Sequence, residues 1–242
     1  MRALVTGASV GIGRETARAL ARDGMDVAVH FRRHESEAAG LAQELSAGGR
    51  EAFTVRADLS RPDGAATLAG AVRARWDSLD VLVHNAGSYP RAAFASITDA
   101  EWEACLRLNL TAPALLTREL LPLLTRSSAG RVIFVSSVLA VAGSRHGAHY
   151  AAAKAGLVGL ARSLSRELAP GITVNTVAPG SIDTAILAGD TAEMRAERGR
   201  AIPLGRIGTA REVADVIAFL ASPNAAYVTG ATVHVNGGLR PE

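Results

Sequence analysis

Short apolar runs rich in β-branched residues alternate along the chain with longer stretches in which apolar positions recur every three or four residues. The short runs predict seven strands, at 2–6, 26–31, 52–56, 79–84, 131–136, 172–177 and 231–235. The longer stretches predict helices at 12–23, 35–47, 61–76, 99–126, 149–169, 191–200 and 211–220. Because strands and helices alternate without a linker or repeat, we expect one α/β domain over residues 1–242, with a doubly wound parallel sheet and helices on both faces.

Two segments interrupt this regular alternation. The long helical pattern at 99–126 contains Pro113, so we expect a kink or break near residue 112. Asn109, a poor helix former, lies on the same pattern, which predicts either a local function or a distortion. The polar, irregular segment at about 181–208 is typical of a mobile lid over a ligand site.

A glycine-rich segment follows the first strand at once, as G-A-S-V-G-I-G from Gly7 to Gly13. A strand, a glycine turn and a helix N-terminus in this order bring backbone N–H groups to a pyrophosphate. The spacing is G-x-x-x-G-x-G rather than the commoner G-x-G-x-x-G, and a tight structural turn is the alternative interpretation. The position directly after the first strand favours a dinucleotide site.

The end of the second strand indicates which dinucleotide binds. This strand runs into His30, Phe31, Arg32 and Arg33 and carries no carboxylate there. A carboxylate would accept a hydrogen bond from the ribose 2′-hydroxyl of NAD, whereas arginine binds a 2′-phosphate. We therefore predict NADP(H), with NAD(H) left open, and two solvated surface arginines are the alternative. Asp58-Leu59 follows the third strand, where the carboxylate either accepts from the adenine amino group or caps a helix.

Other residues with candidate chemistry also follow predicted strands. The carboxyl ends of parallel strands meet at one edge of a sheet, and ligands of such sheets bind there. Gly7–Gly13, Asn85–Gly87, Ser137 and Pro179-Gly180 each come directly after a strand. We therefore expect them to converge on a single site.

Tyr150 and Lys154 lie four residues apart in Y-A-A-A-K, on a predicted helix. This spacing puts both side chains on one helix face, about 5–6 Å apart at Cβ. With an effective dielectric near 20, an ammonium about 4 Å away favours the phenolate by roughly 4 kcal/mol, or about 3 pKa units. Burial opposes that shift, so the value is an upper bound. Such a phenol would exchange a proton with a substrate oxygen near neutral pH.

The use of basic residues points to the same pair. The chain has 26 Lys+Arg, and Lys154 is the one lysine among them. Lysine is a compact charge with three donors, whereas arginine presents a bulky planar fork. A function for Lys154 is one explanation, and the chance survival of a lysine in an alanine-rich helix is the other.

Composition and charge narrow the class of protein. Hydrophobic residues make up 48% and charged residues 20% of the chain, which is ordinary for a globular protein. The net charge of +3 is spread out, with no run of five basic residues, so we predict no nucleic-acid partner. With Cys105 as the one cysteine and no room for a signal peptide, we expect a cytoplasmic protein without an internal disulfide. The best apolar run, 132–143, is too short to span a bilayer, and neither a membrane partner nor a metal site is predicted.

Four motifs occur in order along the chain: T-G-A-S-V-G-I-G at 6–13, N-A-G at 85–87, Y-A-A-A-K at 150–154 and A-P-G at 178–180. Together they resemble the motifs of one family, the short-chain dehydrogenases/reductases. The C-terminal stretches I-P-L-G-R-I-G and Y-V-T-G-A-T-V-H-V-N-G-G are similar to those of 3-oxoacyl-[acyl-carrier-protein] reductases, which act in fatty acid biosynthesis. The resemblance covers essentially the whole chain and implies a Rossmann-type fold and an NADP-dependent oxidoreductase.

The resemblance also implies roles for single residues. Tyr150 resembles the proton donor to the substrate carbonyl, and Lys154 the lysine that holds the nicotinamide ribose and favours the tyrosinate. Ser137 is similar to the serine that hydrogen-bonds the carbonyl oxygen. Asn109 fits the residue whose backbone holds a water that links Lys154 to solvent. Cofactor contacts are implied at Gly7, Ser9, Val10, Gly11, Ile12, Gly13, Arg32, Arg33, Asp58, Leu59, Asn85, Ala86, Gly87, Tyr150, Lys154, Pro179, Gly180, Ile182 and Thr184.

Two places depart from the family pattern. Val10 stands where NADP-using relatives often carry arginine or lysine, so phosphate selectivity depends on Arg32 and Arg33. Reductases that act on acyl carrier protein have basic residues just before the fifth and sixth strands, where this chain has Ser128 and Pro170-Gly171. An acyl carrier protein partner is therefore disfavoured, and a free ketone, a ketoester or an acyl-CoA stays open.

Residues near the expected pocket have open roles. Tyr89 and Arg91, just after the N-A-G turn, either touch substrate or belong to a surface loop. His146 and His149 flank the pocket and are expected to be structural or rim residues rather than substrate contacts.

The resemblance predicts an NADPH-dependent reductase of a 3-oxoacyl thioester or related ketone, which takes a small-molecule or acyl-thioester substrate. A dehydrogenase or reductase of a sugar, steroid or secondary-metabolite alcohol is the alternative within the enzyme class. A dinucleotide-sensing regulator without chemistry is less favoured, because Tyr150 and Lys154 are both present. Relatives are commonly homotetramers, so a homotetramer is implied.

Overall fold

The computed structural model describes residues 1–187 and 189–240 and has a parallel sheet at its centre. Its strands are β1 (Arg2–Val5), β2 (Asp26–Phe31), β3 (Ala52–Arg56), β4 (Val81–His84), β5 (Gly130–Val135), β6 (Ile172–Pro179), β7 (Ile182–Asp183), β8 (Gly208–Thr209) and β9 (Thr232–Val235). Its α-helices are α1 (Gly11–Arg22), α2 (Glu35–Ala47), α3 (Gly64–Arg75), α4 (Asp99–Leu106), α5 (Ala112–Leu124), α6 (Leu139–Ala142), α7 (Ala148–Glu167), α8 (Ala192–Arg200) and α9 (Ala210–Ala221). Among the described residues, none of the helices has the length and apolar character needed to cross a bilayer.

The main sheet has seven strands in the order β3-β2-β1-β4-β5-β6-β9, and every neighbouring pair is parallel. Ala3 of β1 lies opposite Val27 of β2 on one side and Val81 of β4 on the other. The strand order therefore reverses between β1 and β4, and ligands of such sheets bind at the carboxyl ends beside that point. The predicted doubly wound parallel sheet is confirmed.

The sheet is covered on both faces, because alternate residues of each strand point to opposite sides. Val5 packs in a core cluster with residues of α1, α2 and α9, such as Leu20 and Ile217. Its neighbour Leu4 packs in the second cluster, with residues of α3, α5 and α7 such as Leu116. Strands buried on both faces explain why their sequences are continuous apolar runs rather than alternating ones.

Several predicted boundaries differ from the structure. β4 begins at Val81 rather than at residue 79, and β6 extends to Pro179. α3 begins at Gly64 rather than at residue 61, since a turn comes first in which the N–H of Arg61 donates to the carbonyl oxygen of Asp58 at 3.0 Å. The alternative of Asp58 as a helix cap is therefore wrong.

The predicted break in the helical pattern at 99–126 is present. α4 ends at Leu106, a π-helical turn spans Arg107–Thr111, and α5 begins at Ala112. Pro113 lies in the first turn of α5, where its missing N–H is tolerated. The distortion is the π turn around Asn109, whose Nδ2 donates to the carbonyl oxygen of Cys105 at 3.0 Å.

The segment predicted as a lid begins and ends in a small ladder. β7 pairs with β8 in parallel, with Ile182 opposite Gly208. A 3-10 turn spans Ala185–Leu187, and Thr191 caps α8 by accepting from the N–H of Met194 at 3.2 Å. The helix predicted at 191–200 is confirmed, whereas two-residue strands carry no periodicity and were not predicted. Residue 188 of this segment and residues 241–242 of the predicted domain lie outside the described residues.

Candidate functional site

The glycine loop between β1 and α1 is packed too tightly for side chains at key positions. A Cβ on Gly13 would lie 2.2 Å from the carbonyl oxygen of Gly7 and 2.5 Å from Nδ2 of Asn85. Val10 precedes α1 without making a side-chain cap. The first N–H groups of α1 are therefore available to an anionic ligand.

Thr6 and Asn85 join the N-A-G turn to this loop. The hydroxyl oxygen of Thr6 accepts from the backbone N–H groups of Asn85 at 2.9 Å and Ala86 at 3.0 Å. Nδ2 of Asn85 donates to the carbonyl oxygens of Thr6 at 3.0 Å and Gly7 at 3.1 Å. The segments that follow β1 and β4 are thus fixed to one another.

A buried histidine lies under the glycine loop. The N–H of Gly7 donates to Nδ1 of His30 at 3.0 Å, and Nε2 of the ring faces the carbonyl oxygen of Ala57 at 3.1 Å. These partners require Nδ1 to be unprotonated and Nε2 to carry the hydrogen. Burial lowers the pKa of His30 to about 4, so the ring is neutral near pH 7. This support was not predictable from the sequence, because no local pattern marks a contact between residues 7 and 30.

Three arginines line a cavity at the ends of β2 and β3, defined here as the arginine cavity: Arg32, Arg33 and Arg56. Nη1 of Arg32 lies 3.6 Å from Oδ1 of Asp58, which also lines this cavity. Ser60 donates its hydroxyl to the same carboxylate at 2.6 Å and its N–H at 3.0 Å, and these bonds lower the pKa of Asp58. Arg56 was missed from the sequence, where the available signal was a third basic residue ending the neighbouring strand.

Ser137, Tyr150 and Lys154 meet at the carboxyl end of β5. Ser137 follows that strand, and the other two side chains project from α7. Nζ of Lys154 donates to the carbonyl oxygen of Val135 at 2.8 Å and lies 5.6 Å from the ring centroid of Tyr150. The hydroxyl of Ser136 donates to the carbonyl oxygen of Lys154 at 2.8 Å, which fixes α7 against the strand. The structure thus brings the three side chains together as their spacing predicts.

Asn109 reaches this group from the π-helical turn. Its Oδ1 accepts from the N–H of Ser88 at 3.3 Å, and its Nδ2 donates to the carbonyl oxygen of Ser88 at 3.1 Å. A Cβ on Gly87 would lie 2.7 Å from Oδ1 of Asn109 and 3.5 Å from Nζ of Lys154. Gly87, Asn109 and Lys154 are therefore close neighbours, while the water-holding role of the Asn109 backbone stays a prediction.

Burial dominates the proton affinities of Tyr150 and Lys154. It raises the pKa of Tyr150 to about 12, against a smaller lowering by the hydrogen bond with Ser137. Burial likewise lowers the pKa of Lys154 to about 8. The expected lowering of the Tyr150 pKa by Lys154 is therefore wrong for the protein by itself, because burial penalises both the phenolate and the ammonium that was to stabilise it.

Two adjoining cavities cover these residues. The loop cavity, of about 440 Å³, lies over the glycine loop, and the tyrosine cavity, of about 490 Å³, lies over Ser137 and Tyr150. Their shared wall includes Ile12, Gly87, Ser88 and Thr184, so they form one groove.

Most predicted site residues line this groove. Those in the loop cavity are Gly7, Ser9, Val10, Gly11, Ile12, Arg32, Arg33, Leu59, Asn85, Ala86, Gly87 and Thr184. Those in the tyrosine cavity include Ser137, Tyr150, Lys154, Pro179, Gly180 and Ile182. Gly13 and Asn109 pack behind the surface, and Asp58 belongs to the arginine cavity.

The residues after the N-A-G turn line the tyrosine cavity rather than a detached surface loop. The ring of Tyr89 lies 4.7 Å from that of Tyr150, and its hydroxyl is 2.7 Å from the hydroxyl of Ser144. Arg91 lies over the ring of Tyr89, with its guanidinium carbon 5.3 Å from the ring centroid. Substrate contact by either residue stays a prediction.

The two histidines near the cavity differ in position. His146 is exposed at the edge of the tyrosine cavity, whereas His149 is buried beside Trp102, with the ring centroids 6.5 Å apart. Arg145, also at that edge, was missed from the sequence because nothing distinguishes it there from a surface charge. No group of three or more His, Cys, Asp or Glu residues that suits a metal ion occurs within the described ranges.

A family model described as enoyl-(acyl carrier protein) reductase matches residues 7–240. The match covers the glycine loop, both cavities and the strand that ends the sheet. The chain belongs to the short-chain dehydrogenase/reductase family. The family resemblance inferred from the motifs is therefore confirmed.

Curated relatives of this short-chain dehydrogenase/reductase align over nearly their full length. Nodulation protein G of Rhizobium sp. (strain N33) is 43% identical over 98% of this chain and 96% of the relative. The 3-oxoacyl-[acyl-carrier-protein] reductase FabG of Staphylococcus aureus (strain Mu50 / ATCC 700699) is 39% identical over 98% of this chain and 97% of the relative.

A solved member of the family has the same fold. The angucycline C-6 ketoreductase LanV, crystallised with bound NADP, is 35% identical and superposes with a TM-score of 0.92 over 98% of this chain and 95% of that one. This agreement confirms the Rossmann-type architecture expected from the sequence.

Proposed function

We propose that this protein reduces a ketone to a secondary alcohol with NADPH, in a reversible reaction. The observation that carries the proposal is that Ser137 and Tyr150 line a cavity continuous with the one over the glycine loop. A carbonyl held against Tyr150 would face the part of the groove that suits a dinucleotide.

The residues of the loop cavity fit a phosphorylated dinucleotide. The close approach at Gly13 and the uncapped start of α1 suit a pyrophosphate, and the arginine cavity suits a 2′-phosphate. When bound, NADPH supplies the hydride that reduces the carbonyl carbon. The presence of NADP in LanV, a relative of similar fold, supports this choice over NAD.

Tyr150 supplies the proton in this proposal. Its hydroxyl and that of Ser137 would both hydrogen-bond the carbonyl oxygen, which stabilises the negative charge that develops there. Because burial raises the pKa of Tyr150 to about 12, the phenol is protonated near neutral pH, which is the state that reduction requires. Burial lowers the pKa of Lys154 to about 8, and this residue would return a proton to the Tyr150 phenolate after each turnover. The neighbouring Asn109 would connect Lys154 to solvent.

We infer a 3-oxoacyl thioester or a related ketone as substrate, which the names of the FabG relatives support. A secondary-metabolite ketone is the second candidate, favoured by the likeness to an angucycline ketoreductase. An acyl carrier protein partner has less support, since Ser128 and Pro170-Gly171 occupy the places expected to be basic.

Three further features belong to the proposal. The segment at 181–208 would act as a lid, because Leu187 and Arg198 from it line the tyrosine cavity. A homotetramer and a cytoplasmic location follow from the family resemblance and the cysteine content. Light scattering tests the first of these two, and fractionation of the source cells tests the second.

The loss of NADPH absorbance in the presence of ketones tests the proposal. We expect turnover with β-ketoacyl thioesters or secondary-metabolite ketones, and a higher kcat/KM with NADPH than with NADH. If NADPH binds but no ketone across both classes is reduced, the chain is a dinucleotide sensor and the proposal is wrong. A clear preference for NADH would contradict the assignment of cofactor alone.

A further inference from the structure

Two loops form the outer wall of the tyrosine cavity, and the structure joins them at both ends. The rim, as defined here, consists of residues 88–92 and 143–147. The hydroxyl groups of Tyr89 and Ser144 lie 2.7 Å apart, and the N–H of Ala92 donates to the carbonyl oxygen of His146 at 3.1 Å. A Cβ on Gly147 would lie 2.5 Å from Cε2 of Tyr89, so the loops are also in direct contact. The rim is therefore one built surface rather than two separate loops.

Arg91 and Arg145 lie between these two joins, one on each loop. Both side chains line the tyrosine cavity and are exposed at its mouth. Neither takes part in an ion pair among the described residues. The mouth of the cavity therefore carries two positive charges that form no direct ion pair with a described residue.

The other charged residues that line the tyrosine cavity do not neutralise Arg91 and Arg145. None of the described residues that line it is an aspartate or a glutamate. Arg198 also lines the cavity, but Nε of this residue bonds Oδ2 of the nearly buried Asp190 at 2.5 Å. The hydrogen bond with Arg198 is the main cause that lowers the pKa of Asp190, and the positive charge of Arg91 also helps to lower it. A low-polarity cleft lined by one sign of charge attracts ligands of the opposite sign.

Arg91 is connected to the reacting phenol of Tyr150 through the ring of Tyr89. Its guanidinium lies over the ring of Tyr89, and the ring of Tyr89 packs against that of Tyr150. The cation and the phenol proposed to protonate the ketone therefore both contact the ring of Tyr89. Because Arg91 and Tyr150 line the same cavity, a substrate whose carbonyl meets Tyr150 would extend its far end toward Arg91.

On the basis of the proposed ketone reduction, we propose that the natural substrate carries an oxyanion at the end remote from the ketone. Arg91 and Arg145 bind this oxyanion. Arginine binds carboxylate and phosphate in the same forked geometry, so the rim suits either group. The carboxylate would belong to a keto acid, and the phosphate to the carrier part of a coenzyme A thioester. The neutral parts of the wall, Leu139 and Leu239 among them, would hold the chain between the two ends.

Pairs of ketones with and without an anionic end test this inference. One pair is 5-oxohexanoate and its methyl ester, and the other is acetoacetyl-coenzyme A and acetoacetyl-N-acetylcysteamine. For the wild-type enzyme, kcat/KM for the anionic member of at least one pair should exceed that for the neutral member by at least about tenfold, the size of one charged hydrogen bond. The pair that shows the difference identifies the anion as a carboxylate or a phosphate.

Substitutions at the rim should remove the preference. In R91A/R145A the ratio of the two kcat/KM values should fall to about one, mainly through the KM of the anionic member. The control Arg211→Ala removes an exposed arginine of α9 that lines neither cavity, and the ratio should stay as in wild type. A wild-type enzyme that reduces both members of each pair equally well would overturn the inference and leave the ketone reductase standing.

A binding measurement separates this inference from the proposed reaction. Glutarate has two carboxylates and no ketone, so its binding by calorimetry does not depend on turnover. Binding to wild type that weakens about tenfold in R91A/R145A supports the rim even if no ketone tested is reduced. Equal binding of glutarate to wild type and to R91A/R145A would overturn the inference. The absence of glutarate binding to wild type, together with no preference for the anionic ketones in the kinetics, would also overturn it.

Discussion

The ammonium of Lys154 is buried, with its Nζ 2.8 Å from the carbonyl oxygen of Val135 and no carboxylate bonded to it among the described residues. Three other buried side chains of the site follow the same rule, because burial is the largest cause of the pKa shifts of Tyr150, His30 and His84 as well. Each group is therefore held in its neutral form more firmly than in water. For a reductase this favours a protonated phenol and an amine that titrates close to neutral pH.

The first prediction concerns the titration of Lys154. Because this is the one lysine of the chain, protein labelled with ¹⁵N-lysine gives a single Nζ resonance. We expect its titration midpoint at about pH 8, well below the usual value near 10.4, since burial penalises the ammonium. Loss of the resonance in Lys154→Arg confirms the assignment, and a midpoint above pH 10 would contradict the account of the site.

The second prediction concerns the arginine cavity. Replacing Arg32 and Arg33 by alanine should lower kcat/KM for NADPH by about ten- to a hundredfold, through loss of charged hydrogen bonds to the 2′-phosphate. Arg56→Ala should act in the same direction with a smaller effect, because its side chain is more exposed than that of Arg32. Kinetics with NADPH and NADH, together with binding of 2′,5′-ADP and 5′-AMP, measure the difference.

The comparison of the two cofactors supplies the control for that series. Values of kcat/KM for NADH should change little, since NADH has no 2′-phosphate. Arg211→Ala, which removes an arginine away from both cavities, should leave the preference for NADPH intact. Equal losses with NADPH and NADH in the Arg32 and Arg33 variant would mean that the arginines support the fold rather than the phosphate.

At the scale of the elements, the candidate site is built from strand ends and from one irregular helix. β1 and β4 end in loops joined through Thr6, and β5 and α7 bring Ser137 and Tyr150 together. The π-helical turn at Arg107–Thr111 places Asn109 behind the N-A-G turn. Such turns occur often at functional sites, because they redirect one residue without ending the helix.

The third prediction tests the contact between the N-A-G turn and this π turn. In Gly87→Ala the added methyl group would lie 2.7 Å from Oδ1 of Asn109 and 3.5 Å from Nζ of Lys154. We expect kcat to fall by at least about tenfold, since displacements of about 1 Å at a reacting centre are costly. The control Gly70→Ala adds a methyl group in α3 with nothing within 4 Å, and it should leave kcat unchanged. Wild-type kcat in Gly87→Ala would show that this packing does not matter.

Strand and helix positions were predictable where the pattern was local. The β-branched runs of β1 and β2 and the amphipathic helix α2 closed by Gly48 needed no long-range information. The two-residue strands β7 and β8 were missed, because they pair Ile182 with Gly208 across a long stretch of chain. Pro113 led to the right position for the break, while the distortion itself centres on Asn109.

Among site residues, those within motifs were predictable and those that support them were not. The positions of Tyr150, Lys154 and Ser137 followed from spacing and strand ends. His30 was missed as a support, because its partner Gly7 belongs to another segment. The direction of the Tyr150 pKa was wrong, because the sequence gives the nearby charge but not the depth of burial.

Across the whole molecule, acid stability is coupled to the site through two buried histidines. His30 lies under the glycine loop, and His84 precedes the N-A-G turn, with its Nε2 2.8 Å from the hydroxyl of Thr117. Burial lowers the pKa of His30 to about 4 and that of His84 to about 3. The unfolded chain therefore takes up protons first as the pH falls below about 6.5, so these residues make the folded state less stable in acid.

The fourth prediction follows from this loss of folded-state stability in acid. Between pH 8 and pH 5, each of the two histidines should lower the free energy of unfolding by about 2 kcal/mol. In His84→Asn the pH-dependent loss should shrink by about that amount, whatever the change in overall stability. Gly70→Ala, which changes no titratable group, provides the control and should not alter the dependence. Denaturant unfolding at fixed protein concentration and at several pH values measures the free energy of unfolding. A pH dependence in His84→Asn equal to that of wild type would contradict the burial argument.

The central claim is that the phenol of residue 150 protonates a ketone at the same edge of the sheet where the dinucleotide binds. Tyr150→Phe removes the hydroxyl and keeps the ring beside Tyr89, so NADPH binding should stay within about twofold while kcat falls by at least about a hundredfold. The control Tyr227→Phe changes a fully exposed tyrosine and should have wild-type kcat. A Tyr150→Phe enzyme that binds NADPH and reduces the same ketone at the wild-type rate would contradict the account.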